Sequence, residues 1–192
     1  CASRTYTGSS QTLASGGTGV TYTNNSRTTA GSQTVTVTAS SGYRFSDGTT
    51  SKTLSCSIAK ATPTVTLSAT SGKAGKTTPV TFTEKASVAG SFTNTSSSTS
   101  IATVSPSSYS SVTANTAKTV TITGVSNGTS TITVTFTPTD TTNYNTATKT
   151  YTVTGYKVAT TGSCASRTYT GSSQTLASGG TGVTYTNNSR TT

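Results

Sequence analysis

The chemistry open to this chain is narrow, because few of its residues could perform any. It has no His, and its only carboxylates are Asp47, Glu84 and Asp140, far apart in the sequence. Hydrolytic and acid–base catalysis ask for a tuned base or a pair of carboxylates. Asp47 stands in an SDG turn and Asp140 in a PTD corner, both ordinary structural uses of Asp. No His is present to activate a cysteine as a nucleophile. The expectation is no catalytic residue, no enzyme and no cofactor. A metal site is not expected either: no acidic cluster suits calcium, and Cys without His fall short of the usual four zinc ligands.

Two chemistries of cross-linking remain. The first belongs to the cysteines, and it depends on a repeat. Residues 1–29, CASRTYTGSSQTLASGGTGVTYTNNSRTT, recur letter for letter at 164–192, starting 163 residues later. Self-similarity of this kind has to be settled before any fold is assigned. Cys164 is then Cys1 of the next repeat, and each repeat holds two cysteines, Cys1 and Cys56. An even number fits a disulfide framework in an oxidising compartment, and the CxxC spacing of a redox dithiol is absent. A structural Cys1–Cys56 bridge is expected, with Cys164 left as a free thiol. The second chemistry is amide formation between side chains, which burial of an amine beside a carboxyl group can promote. Lys85, next to Glu84 at the end of VTFTEK, is the candidate amine, with Asn143 or Asn145 as its partner and Glu84 as proton shuttle.

Composition bounds what surrounds these residues. Thirteen Lys and Arg face three acidic residues, for a net charge of +10. The basic residues are scattered singly, unlike a nucleic-acid or polybasic membrane segment, so specific nucleic-acid binding is not expected. Weak, salt-sensitive adhesion to anionic polymers or glycans is compatible with the charge. No apolar run approaches the ~20 residues of a membrane span. Ser and Thr make up nearly half of the chain. A disordered, glycosylated stalk of that kind is usually Pro-rich, yet there are four Pro against nine Tyr and four Phe. Thr is β-branched and suits a pleated, half-buried surface, so the reading is folded β structure. Sequons at Asn24, Asn94 and Asn127 arise easily by chance in such a chain. The TVTVT, TVTIT and TITVTFT arrays are too irregularly spaced for an ice-binding ladder.

The elements that would position the candidates are short strands. GVTYT and QTVTVTAS alternate apolar residues with Thr, and KTLSCSIA places Leu54, Cys56 and Ile58 on one face. Gly-rich and Asn- or Asp-led turns separate them. After the connector KATP, alternation predicts strands at 63–68, 79–83, 88–92, 101–104, 109–113, 118–123, 130–137 and 147–154. Seven or eight such strands suggest an immunoglobulin-like sandwich. Residues 155–163, with Tyr156 and Val158, are read as a possible first strand of the next module. The module at 1–60 would then present an unpaired edge.

Two stretches carry a family resemblance. YTGSSQTL and AGSQTVTVTASSGYRFSDGTTSKTLSCSIAKATP resemble the small bacterial surface repeats called MBG modules. Cys56 stands where an aromatic residue is common in that pattern. ITGVSNGTSTITVTFTPTDTTNYNTATKTYTVTG resembles the C-terminal half of bacterial immunoglobulin-like (Big-type) domains. The resemblance implies a tandem-repeat surface protein of the adhesin or stalk kind.

The expectation is therefore an all-β chain, a small β module and an immunoglobulin-like β-sandwich repeated with a period of 163 residues. The expected boundaries are 1–61, 62–155 and 156–192, the last being the first half of another small module. The expected role is a rod-like spacer at a bacterial cell surface, contacting neighbouring repeats. The alternatives are repeats that bind anionic polymers or glycans by avidity, or that self-associate into a filament by strand complementation.

Overall fold

Alternation of Thr with apolar residues sets the architecture, since a strand turns one row of side chains inward and the other to water. The computed structural model describes residues 1–191, which form nineteen short strands and no helix. The chain is all-β. The first six strands are β1 (Arg4–Thr5), β2 (Gln11–Thr12), β3 (Val20–Thr23), β4 (Ser26–Arg27), β5 (Gly31–Ala39) and β6 (Ser51–Ala59). One sheet has the order β1-β6-β5-β3, with β1 parallel to β6 and the other neighbours antiparallel. β2 and β4 pair separately. Val35, Cys56 and Ile58 turn to one face and pack on Leu13 and Ala14 of the loop after β2. Asn25 pins that loop by accepting the Ala14 N–H and donating to the Ala14 carbonyl, each at 2.8 Å.

Nine strands follow: β7 (Val65–Leu67), β8 (Ser71–Gly75), β9 (Val80–Ala86), β10 (Gly90–Ser96), β11 (Ala102–Ser105), β12 (Ser108–Val112), β13 (Lys118–Gly124), β14 (Gly128–Pro138) and β15 (Ala147–Tyr156). They form two facing sheets, β12-β10-β14-β15-β8 and β11-β13-β9-β7, the layout of an immunoglobulin-like sandwich. Between the sheets Phe82 stacks on Tyr151, with ring centres 4.8 Å apart, and Phe92 lies 4.9 Å from Phe136. Ile122, Ile132 and Val134 fill the space around them. Residue-by-residue alternation on β13 and β14 puts every second side chain in this core.

The structure departs from the alternation pattern in two places. β8 has the sequence SGKAG, which carries no apolar alternation, and it was not among the expected strands. It pairs in parallel with Thr152–Tyr156 of β15, and its small residues make that approach possible: a Cβ on Gly72 would collide with the Tyr151 hydroxyl. The second departure concerns Tyr156 and Val158. β15 runs through Tyr156, which pairs with Gly75, so Tyr156 belongs to the sandwich. Val158 is exposed. Two antiparallel pairs complete the chain: β16 (Ser163–Cys164) with β18 (Ala177–Ser178), and β17 (Gln174–Thr175) with β19 (Ser189–Arg190).

Candidate functional site

The small module is fastened at one end by chemistry. Cys56 faces the core from β6, and Cys1 reaches it from the strandless residues before β1. The two are joined in a disulfide with Cα atoms 5.4 Å apart and a sequence separation of 55. Cys164 is exposed and carries a free thiol.

The module meets the sandwich through the turn between β14 and β15. Asp140 accepts hydrogen bonds there from the backbone N–H of Asn143 at 3.1 Å and from its side-chain amide at 2.7 Å. The Asn143 amide is the main reason the Asp140 carboxyl is held below its ordinary range. Fixed in this way, Asn143 turns its remaining acceptors to the small module. Its Oδ1 accepts the Ala30 N–H at 2.8 Å, and its backbone carbonyl accepts the Ala61 N–H at 2.9 Å. Asn145 returns a bond to the Ala61 carbonyl at 2.8 Å, and Lys60 Nζ donates to the Thr141 carbonyl at 2.6 Å. Tyr6 and Tyr144 close the joint edge to face, with ring centres 5.2 Å apart. Ala30 and Asn143 are both buried, so the bond between them is shielded from competing water.

A third constellation lies inside the sandwich. Glu84 is wholly buried on β9, and Asn94 on β10 is 3% exposed. Asn94 Nδ2 donates to Glu84 Oε1 at 3.2 Å and to the Pro106 carbonyl at 3.5 Å. Glu84 Oε2 and Asn94 Oδ1 are buried without a partner among the described residues. Burial outweighs the Asn94 bond and pushes the Glu84 carboxyl up to about 7.

The residues singled out from sequence fall into these places unevenly. Glu84 and Lys85 are neighbours on a strand and turn to opposite faces, Glu84 into the core and Lys85 to solvent. Asn143 and Asn145 serve the joint between module and sandwich. Strand pleating thus separates Lys85 from Glu84, the shuttle expected for a Lys85–Asn143 or Lys85–Asn145 link, and the Asn143 side chain is engaged at the joint. Asp47 pairs with Lys52 at 3.1 Å and accepts from the Thr49 hydroxyl, which with Lys52 brings its carboxyl down to about 2. No group of three or more His, Cys, Asp or Glu gathers among the described residues. Of the sequons, Asn94 is buried while Asn24 and Asn127 are exposed. The importance of Lys60, Tyr6 and Ala30 was not readable from residue type. Their only signal was membership of the KATP, YTG and AG segments that carry the resemblance.

The repeated segment offers a comparison within one molecule. Arg4 Nε donates to the Thr12 carbonyl at 3.1 Å, and Arg167 to Thr175 at 3.2 Å. Gln11 and Gln174 bond the Thr5 and Thr168 carbonyls alike. The Asn25 clamp on Ala14 returns as Asn188 on Ala177. What differs is the cover. Leu13 is wholly buried beneath β5 and β6, whereas Leu176 is only half-buried and Tyr169 is 75% exposed.

No family model matches the chain, and no curated protein matches it. Among solved structures it is similar to domains 4 and 5 of the S-layer protein SbsC, at 24% identity and a TM-score of 0.38 over 65% of each chain. A larger SbsC structure of domains 4–9 matches at 23% identity and a TM-score of 0.38, over 77% of this chain and 20% of that one. The D00-D0 domain of Intimin matches at 19% identity and a TM-score of 0.32, over 62% of this chain and 64% of that one. The chain thus spans less than two thirds of each of these proteins.

Proposed function

We propose that the chain is a structural segment of a bacterial surface protein, a spacer in which small module and sandwich act as one stiff unit of a repeating rod. The observation that carries this reading is the Asn143 joint. Inter-domain contacts within a chain are commonly polar and permit relative motion. Here a buried side chain bonds across the joint, and backbone bonds to Ala61 continue the pairing from one body into the next. The disulfide supports an oxidising, extracellular setting. The carboxylates stand apart, each in a local structural role, and the reading assigns the chain no catalysis.

Stiffness is measured by 15N relaxation. Residues 1–61 and 62–155 should share one rotational correlation time, and Asn143→Ala should let them diverge. Independent tumbling in the unaltered protein would remove the reading. The avidity alternative is checked on the same sample by titrating it against teichoic acids and acidic glycans. Saturable binding that persists at physiological salt would make the repeats themselves the adhesive element, since exposed charges more than a Debye length of ~8 Å apart are largely screened there.

A further inference from the structure

The buried pair of Glu84 and Asn94 has a basic neighbour that the sequence pattern did not suggest. In the β9–β13 ladder Lys118 is the direct partner of Glu84, and directly opposed residues project from the same face of a sheet. Lys118 is half-buried, with Nζ over the Tyr109 ring, 5.6 Å from its centre. Tyr109 lies on β12 and pairs with Phe92, two residues before Asn94 on β10, and its hydroxyl donates to the Thr119 carbonyl. Lys118 and Glu84 thus project from one face of the β13–β9 pair, and Asn94 meets Glu84 from β10 of the facing sheet. We propose that Lys118 and Asn94 are the two ends of a self-formed amide cross-link between the sheets, with Glu84 as the proton carrier.

The unpaired atoms indicate how the step would run. Glu84 Oε2 and Asn94 Oδ1 are both acceptors without a donor, and a proton on Oε2 supplies the one donor that satisfies both. Glu84, held up at about 7 by burial, keeps that proton well above the pH at which an exposed carboxyl loses it. Donation to Oδ1 draws electrons from Asn94 Cγ and makes it electrophilic. Lys118 has a flexible four-carbon stem. The attacking form is the free amine, and its Nζ swings off the Tyr109 ring and inward toward Asn94 Cγ. Its lone pair forms the Nζ–Cγ bond, and the Cγ–Nδ2 bond then breaks. A proton from Nζ passes by way of Glu84 to the departing nitrogen, which leaves as ammonia. No electrons are gained or lost overall, and no co-reactant is needed.

The link would join β10 in one sheet to β13 in the other by a covalent bond, which fits a spacer but does not depend on that role. Trypsin decides the matter, because an acylated Lys118 is no longer cleaved. In the purified, reduced protein the expected product is a peptide spanning 86–149, lighter than its sequence mass by one ammonia. In Lys118→Arg and in Glu84→Gln the mass deficit should vanish, and in Glu84→Gln cleavage after Lys118 should return. Lys118→Arg keeps the charge at a half-buried site, so it separates chemistry from misfolding. A peptide 86–118 of full mass from the unaltered protein would overturn the proposal. So would an ammonia deficit accompanied by normal cleavage at Lys118, since cyclisation at Asn127–Gly128 loses the same mass.

Discussion

At the scale of single residues, Glu84 and Cys56 each make a measurable contribution. The Glu84 carboxyl titrates at about 7 in the folded chain against an ordinary 4.5, so the folded state holds a proton that the unfolded state releases. The contribution of this one group is then full below pH 4.5 and is lost as pH rises through 7, by roughly 3 kcal/mol. Of the groups that face it, Asn94 stabilises the charged form by its hydrogen bond, and burial outweighs that bond; Leu67 and Lys118 are its ladder partners. Urea unfolding across pH 4 to 8, done in Lys118→Arg so that no covalent link intervenes, should show this slope. Glu84→Gln in the same background should flatten it; an unchanged slope would place the titrating group elsewhere. For the disulfide, the closed loop of about 55 residues implies a loss of about 4 kcal/mol in Cys56→Ala on the chain-entropy account. A module of this size is marginal on packing alone, so the loss should unfold residues 1–61 and leave the sandwich intact. Methyl resonances of Val35 and Ile58 against those of Ile132 and Val134 would report the two bodies separately.

At the scale of elements, the joint shows what the sequence revealed and what it withheld. Strands such as β5, β13 and β14 were legible because Thr alternates with Val, Ile or Phe, and period-2 burial needs nothing else. β8 was not, since a strand that fits through small size leaves no hydrophobic pattern. Cys56 could be oriented by its position between Leu54 and Ile58, and Glu84 by the same rule would have faced inward beside Phe82. Reading Lys85 as an amine buried beside Glu84 missed this, because adjacency in sequence is opposition across a strand. The partner of Glu84 comes instead from ladder register, which pairs Lys118 with it only once β9 and β13 are placed. The joint was still less legible, because its bonds use the backbone of Ala30 and Ala61 and a turn asparagine. Asn143→Ala leaves the buried Ala30 N–H without an acceptor, at a cost of about 1–3 kcal/mol. The expected result is faster amide exchange at Ala30 and Ala61, with Ile132 and Val153 in the sandwich core unaffected. Unchanged protection at Ala30 would mean that the Ala61 backbone bonds, Lys60 and the Tyr6–Tyr144 contact hold the joint without the Asn143 side chain.

At the scale of the whole molecule, the repeated segment poses a competition. Residues 164–191 keep the local hydrogen bonds of residues 1–28 but lack the β5 and β6 cover. The β5–β6 sheet of a second copy could accept them in place of its own first segment. The contacts would be the same on either side of that exchange, so their energies cancel and mass action decides. The resident segment is joined directly to β5, and a short tether gives an effective concentration in the mM range. The chain should therefore be monomeric at micromolar concentration, with exchange setting in only near ~1 mM. Cys164 would make the exchanged form covalent: its thiolate attacks Cys56 Sγ, Cys1 leaves as thiolate, and the number of thiols is unchanged. Non-reducing electrophoresis after incubation across that range should show multimers that dithiothreitol dissolves and Cys164→Ser prevents. Tryptic peptides report the exchange directly, because Cys1 lies in residues 1–4 and Cys164 in residues 158–167. In the monomer iodoacetamide should label the second and spare the first; in the multimers the labelling should reverse. Multimers that survive Cys164→Ser together with reductant would instead require an interface that does not use the repeated segment's sulfur at all.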